Sequence, residues 1–92
     1  MKIVFRPAAR DDLEKISAWI AADNPNAAFK MVASIKEKVF RLAARELSYM
    51  GHPGVVQDTL ELVVYPYIIV YKVFEKRREI VILSIVHGAQ GR

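Results

Sequence analysis

Cysteine is absent from this chain, which excludes disulfides, thiolate metal sites and cysteine nucleophiles. Histidine occurs only at His52 and His87, too far apart in sequence to give a metal-ligand spacing. Neither a metal nor a cofactor is therefore expected. No apolar run approaches bilayer length, so no membrane partner is expected. The N-terminus lacks the charged, apolar and small-residue order of a signal peptide, and the expectation is a cytoplasmic protein. Internal repeats, linkers and low-complexity tracts are also missing. What remains fits one domain spanning residues 1–92.

The composition is rich in apolar residues, at 53%, so an ordered core is expected and some of this surface could be covered by a partner. The net charge of +4 permits an approach to nucleic acid or to an acidic protein, without choosing between them.

The organising stretch is Tyr67-Ile68-Ile69-Val70-Tyr71-Lys72-Val73-Phe74, a run of β-branched and aromatic residues. Similar runs flank it, from Thr59 to Tyr65 and from Glu79 to His87. Turn signals at Pro66 and at Glu75 to Arg78 separate the three, which predicts an antiparallel meander with the Tyr67 run in the middle. Lys2 to Phe5 is a fourth strand candidate, and it should pair within the same sheet because a lone strand would leave backbone groups unsatisfied.

Two helices are predicted between these strands. Pro7 suits a first helical turn, with Asp11, Asp12 and Glu14 placing negative charge near the N-terminus. Ala9, Leu13, Ile16 and Ile20 form a helical stripe that Trp19 widens, either toward the other helix or toward a partner. Asn24 reads as an N-cap and Pro25 as the first residue of a second helix, running to Arg45 or Glu46. Its apolar face carries Ala28, Met31, Val32, Ile35, Val39 and Leu42. Lys30, Lys38, Arg41 and Arg45 form an adjoining basic strip. The segment around Met50-Gly51-His52-Pro53-Gly54 reads as a loop. The order β-α-α-β-β-β predicts an α+β domain, a two-helix hairpin packed on a twisted antiparallel sheet.

Several residues are candidates for function. His87 ends the last strand and, on a regular strand, shares parity with Val81, Leu83 and Ile85. It could act as an acid or base, although a histidine at a strand end more often makes structural hydrogen bonds. Tyr65, Tyr67 and Tyr71 could stack on bases, but aromatic residues around a buried strand more often pack. Lys76, Arg77 and Arg78 are the densest basic cluster. They and the strip of Lys38, Arg41 and Arg45 read either as solvated surface or as contacts for an acidic partner or nucleic acid.

The order of elements, together with particular words in it, resembles the RelE/ParE superfamily of bacterial toxins. These words are Ala9 with Asp12-Leu13 and Ile16, then Asn24-Pro25-Asn26-Ala27-Ala28, and Met50-Gly51-His52-Pro53-Gly54. They continue with Thr59-Leu60-Glu61-Leu62-Val63, Tyr65-Pro66-Tyr67-Ile68-Ile69-Val70-Tyr71 and Ile82-Leu83-Ser84-Ile85-Val86-His87-Gly88-Ala89-Gln90. The resemblance implies the toxin of a type II toxin–antitoxin system, of the addiction-module kind linked to plasmid stabilization. Its expected partner is a cognate antitoxin, in an oligomeric complex. RelE-like members are ribosome-dependent mRNA endoribonucleases, whereas ParE-like members poison DNA gyrase. The cations of the RelE-like pattern fall here on Thr59, Glu61 and Ile68, none of them basic, and this favours a ParE-like gyrase inhibitor that is not an enzyme. The alternatives are an mRNA endoribonuclease using His87, or a toxin that only binds its antitoxin. The last of these draws on His52 and Leu60, which stand where ParE-like members usually carry arginine.

Overall fold

The computed structural model describes residues 1–44 and 47–89. Strand β1 (Lys2–Phe5) leads into helices α1 (Pro7–Ala21) and α2 (Pro25–Arg41). Strands β2 (His52–Pro53), β3 (Leu60–Val64), β4 (Tyr67–Phe74) and β5 (Glu79–His87) follow. The sheet order is β1-β5-β4-β3-β2, so the Tyr67 run is the central strand of the sheet as well as of the meander. One expectation is corrected here. β1 lies parallel to β5, with Lys2 opposite Glu79 and Phe5 opposite Ile82, while the other pairings are antiparallel. The intervening helical hairpin is the crossover that a parallel pair requires. The two-residue strand β2 forms inside the segment read as a loop, pairing His52 with Glu61 and Pro53 with Leu60.

Helix α1 opens at Pro7 without a side-chain cap, and its first turn carries no acid. Asp12, one turn further on, reaches the sheet instead: its Oδ2 accepts the backbone N–H of Ile85 at 2.9 Å. Helix α2 opens as its sequence predicts, with Asn24 Oδ1 accepting from Ala27 N at 3.1 Å and Pro25 starting the helix.

The far end of α2 is shorter than its periodicity implies. The N–H groups of Leu42, Ala43 and Ala44 turn to the carbonyls three residues back, which tightens the chain out of the α-helix. Two groups then occupy the carbonyls just past the helix, one from the following turn and one from the start of the chain. Ser48 Oγ donates to Leu42 O at 2.9 Å, and the Met1 ammonium donates to Ala43 O at 2.6 Å. The Met1 contact, 42 residues away, has no signature in local sequence.

The core lies between the helices and one face of the sheet. Ala9 and Ile16 of α1 and Ile35, Val39 and Leu42 at α2 meet Leu62, Tyr67, Ile69, Tyr71, Ile80, Ile82 and Ile85. Burial of each large apolar side chain stabilises the fold by roughly 1.5–3 kcal/mol. Trp19 does not join this stripe. It sits about 100° around the helix from Ile20 and is 79% exposed. No described helix is long and apolar enough to cross a membrane.

Strand β5 contains an irregularity that decides which residues face the helices. Val70 pairs with Ser84 and Tyr71 with Ile82, so Leu83 is an extra residue in β5. Before it, Ile80 and Ile82 point into the core. After it, Ile85 and His87 take that face. The bulge therefore corrects the expected parity: Val81 lies on the opposite face of the sheet from His87, because an extra residue inverts the alternation.

Candidate functional site

The register divides the candidate residues between two faces. His87 pairs with Tyr67 on the helix-covered face, where their rings meet edge to face at 5.5 Å and 84°. Ile68 pairs with Val86 on the other face, which also carries Glu61 and Thr59. The sheet thus lies between the imidazole and the three positions where the RelE-like pattern places cations.

That other face is mainly apolar. A cavity of about 200 Å³ there is lined by Val55, Val56, Thr59, Glu61, Val70 and Val86, among others. Glu61 is buried, and its Oε2 accepts the N–H of Val55 at 3.1 Å. Gly54 N donates to Thr59 O at 2.8 Å and Thr59 Oγ1 to Val56 O at 2.6 Å. These bonds hold the 54–59 loop against the sheet while leaving Val55 and Val56 exposed. A buried carboxylate at this point repels a phosphate, and its engagement with the loop ties it to structure.

On the helix-covered face, His87 borders an open cavity of about 450 Å³ together with Lys15, Ile16, Trp19 and Tyr67. The N–H of Ala89 donates to His87 Nδ1 at 3.1 Å. In the neutral ring this bond places the imidazole proton on Nε2. Lys15 and Trp19 lie on a different element from His87 and are brought to it only by the packing of α1 on β5, which no local sequence pattern encodes.

The remaining basic candidates are spread over the surface. Lys38 Nζ donates to Val63 O at 2.8 Å, tying α2 to β3. Arg41 pairs with Glu37 one helical turn away at 2.9 Å. Arg45 lies outside the described residues. At the β4–β5 turn, the Arg77 guanidinium stacks over Phe74 at 4.1 Å and contacts Glu79 at 3.4 Å. Lys72 approaches the same ring at 5.2 Å. Arg78 occupies the left-handed region with φ 53° and closes the turn through its N–H to Glu75 O at 3.1 Å. This cluster stands at the opposite end of β5 from His87, about 26 Å away by strand rise. The candidate residues therefore do not converge on one centre. Among the described residues, no three His, Asp or Glu side chains are placed to hold a metal ion.

The tyrosines divide by environment. Tyr67 and Tyr71 are buried, whereas Tyr65 is 86% exposed. The Tyr71 hydroxyl donates to Ser48 O and accepts from Gly51 N, both at 3.0 Å. Burial raises its pKa above the usual phenol value, and the bond from Gly51 opposes this in part.

Known proteins share both the sequence and the fold. The family model described as the ParE toxin of the type II toxin–antitoxin system parDE matches residues 3–91. A protein of Sinorhizobium fredii designated a candidate toxin, Y4kP, is 40% identical over 80 residues, covering 85% of this chain and 78% of the relative. A chain from the chromosomal ParDE system of P. aeruginosa superposes with a TM-score of 0.80 at 27% identity, covering 95% of each chain. The intact E. coli RelBE toxin–antitoxin complex contains a chain that shares the fold at a TM-score of 0.66 and 13% identity, with 99% of this chain and 98% of that one covered. With its helical hairpin, its five-stranded sheet and a family match over nearly its whole length, this chain belongs to the ParE family of toxins of type II toxin–antitoxin systems.

Proposed function

We propose that this toxin acts by binding and inhibiting DNA gyrase, and that it does not cleave RNA. The observation that carries this reading is the separation of His87 from Glu61 and Ile68 by the thickness of the sheet. Cleavage through a ribose 2′-hydroxyl needs an acid–base group and a cation around one phosphate. Here the imidazole faces α1, and the opposite face offers a buried carboxylate and apolar side chains. A toxin lacking such a constellation works by occupying a target.

The same reading assigns a cognate antitoxin as the partner that keeps the toxin silent. Support comes from the solved relatives, which include toxin–antitoxin systems, and from apolar side chains left at the surface. Phe29 and Phe40 of α2 are 77% and 55% exposed. A cavity of about 540 Å³ where β1, α1 and α2 meet is lined by Phe5, Leu13 and Val32, with Arg10, Glu14 and Lys36 among its polar residues. Apolar surface bordered by charge suits a segment that folds as it binds.

The test is a supercoiling assay with purified gyrase, run beside mRNA cleavage on programmed ribosomes. Loss of supercoiling with intact mRNA is the expected result. Cleaved mRNA with normal supercoiling would overturn the reading. Inactivity in both, with the antitoxin still bound, would leave a chain that only engages its antitoxin.

A further inference from the structure

We infer that the cavity bordered by Lys15, Trp19, Tyr67 and His87 is a binding site for a carboxylate side chain presented by an acidic segment of another polypeptide. The side chains that line it, and the hydrogen-bonding groups they carry, define the ligand. Lys15 supplies an ammonium with three donors and no acceptor. His87 Nδ1 is occupied by the N–H of Ala89, so the neutral ring presents Nε2–H as a donor. The Trp19 indole adds a wall whose only polar group is an N–H. None of the five residues lining the cavity is an acid. A ligand complementary to this set is anionic and accepts hydrogen bonds.

The walls also select the body that carries the anion. Ile16 and the Tyr67 ring form an apolar floor, while Trp19 stands 79% exposed between this cavity and a second one of about 400 Å³ along Ile20, Ala22, Asp23 and Asn24, whose single acid, Asp23, does not line the first. Tyr65, at the same end of the sheet, is 86% exposed. The exposed indole of Trp19 at the cavity's edge suits the aliphatic neighbours of an acidic residue in a chain better than a small free anion. The net charge of +4 favours an acidic partner at long range. Assigning that polypeptide as the antitoxin rests on the proposed function; the site itself rests on its geometry.

Trp19 is the only tryptophan and borders this cavity and the neighbouring one, so indole fluorescence reports on that region and the His87 resonances identify this cavity. The full chain is titrated with acetyl-Leu-Glu-amide and separately with acetyl-Leu-Gln-amide, following Trp19 emission and the His87 ring resonances by NMR. The Glu peptide is expected to saturate both signals at about 1 mM, as befits one short ligand. The Gln peptide should bind about tenfold more weakly, and Lys15→Gln should weaken the Glu peptide by a similar factor. Lys30→Gln, on the exposed side of α2, should leave binding unchanged. Equal binding of the two peptides, or perturbation confined to residues outside the cavity, would overturn the inference. So would the absence of any response while a cognate antitoxin still binds, an outcome that leaves the proposed function standing. Conversely, a Glu-selective response from a chain that binds no antitoxin would uphold the site and remove only the identity given to its partner.

Discussion

The carboxylate of Asp12 takes the place of a missing strand beside Ile85. Strand β1 stops opposite Ile82, so among the described residues the β5 edge beyond that point has no strand neighbour, and Asp12 Oδ2 accepts the Ile85 N–H at 2.9 Å. Together with the packing of Ile16 and Ile85 in the core, this bond holds α1 against the half of β5 that follows the Leu83 bulge. The same packing places Trp19 and Lys15 beside His87.

Asp12→Ala should therefore destabilise the protein by about 1–3 kcal/mol, the cost of leaving a partly buried amide without an acceptor. Urea denaturation followed by far-UV circular dichroism measures this. Amide hydrogen exchange at Ile85 should accelerate more than exchange at Ile69.

Tyr71 predicts a dependence on alkaline pH. Its phenol pKa is raised in the folded state, chiefly by burial, so folding favours the neutral form. The resulting stability is complete below the unfolded-state pKa of about 10 and is lost as pH rises through the folded value. Tyr71→Phe should remove that part of the alkaline slope. At neutral pH it should cost about 1–3 kcal/mol, because Ser48 O and Gly51 N lose their shared partner. Denaturation midpoints of both proteins across the alkaline range would test the sign.

Gly51 is required by close approach. A Cβ there would lie 2.8 Å from Glu61 O and from the Tyr71 hydroxyl oxygen. Gly51→Ala must shift either the β2–β3 pairing or the Tyr71 anchor, and roughly 1–3 kcal/mol of stability should be lost. Thermal unfolding of the variant beside Tyr71→Phe and the double variant should give less than additive losses, since both act on one contact.

The β4–β5 turn offers a functional prediction. Both arginines of the turn are exposed, and Arg77 is held by Phe74 and Glu79. Arg78→Glu should slow association with an acidic antitoxin, by a factor that shrinks as salt rises, and leave dissociation nearly unchanged. Stopped-flow association at two ionic strengths measures this. A rate indifferent to the substitution would remove the turn from the encounter surface.

Much of this protein was legible in its sequence, for physical reasons that operate locally. The unbroken β-branched run of Tyr67 to Phe74 could be satisfied only in the middle of a sheet, and it forms β4 with the predicted bounds. Asn24-Pro25 carries its own capping chemistry and starts α2 where expected. The family words likewise identified a toxin of the RelE/ParE kind, and the family match extends over residues 3–91.

Tertiary structure decided what no local pattern encodes. Helix α2 ends at Arg41, short of its periodicity, and the Ala43 carbonyl just beyond it is taken by the Met1 ammonium, 42 residues away in sequence. Strand β1 runs parallel to β5 because a two-helix crossover returns the chain in the same direction. The face presented by His87 was set by Leu83, whose extra place in β5 depends on the partner strand it fails to match. Alternation within one strand fixes which residues share a face only while the pairing stays regular. A bulge belongs to two strands at once, and so the chemistry available to His87 was decided by the fold.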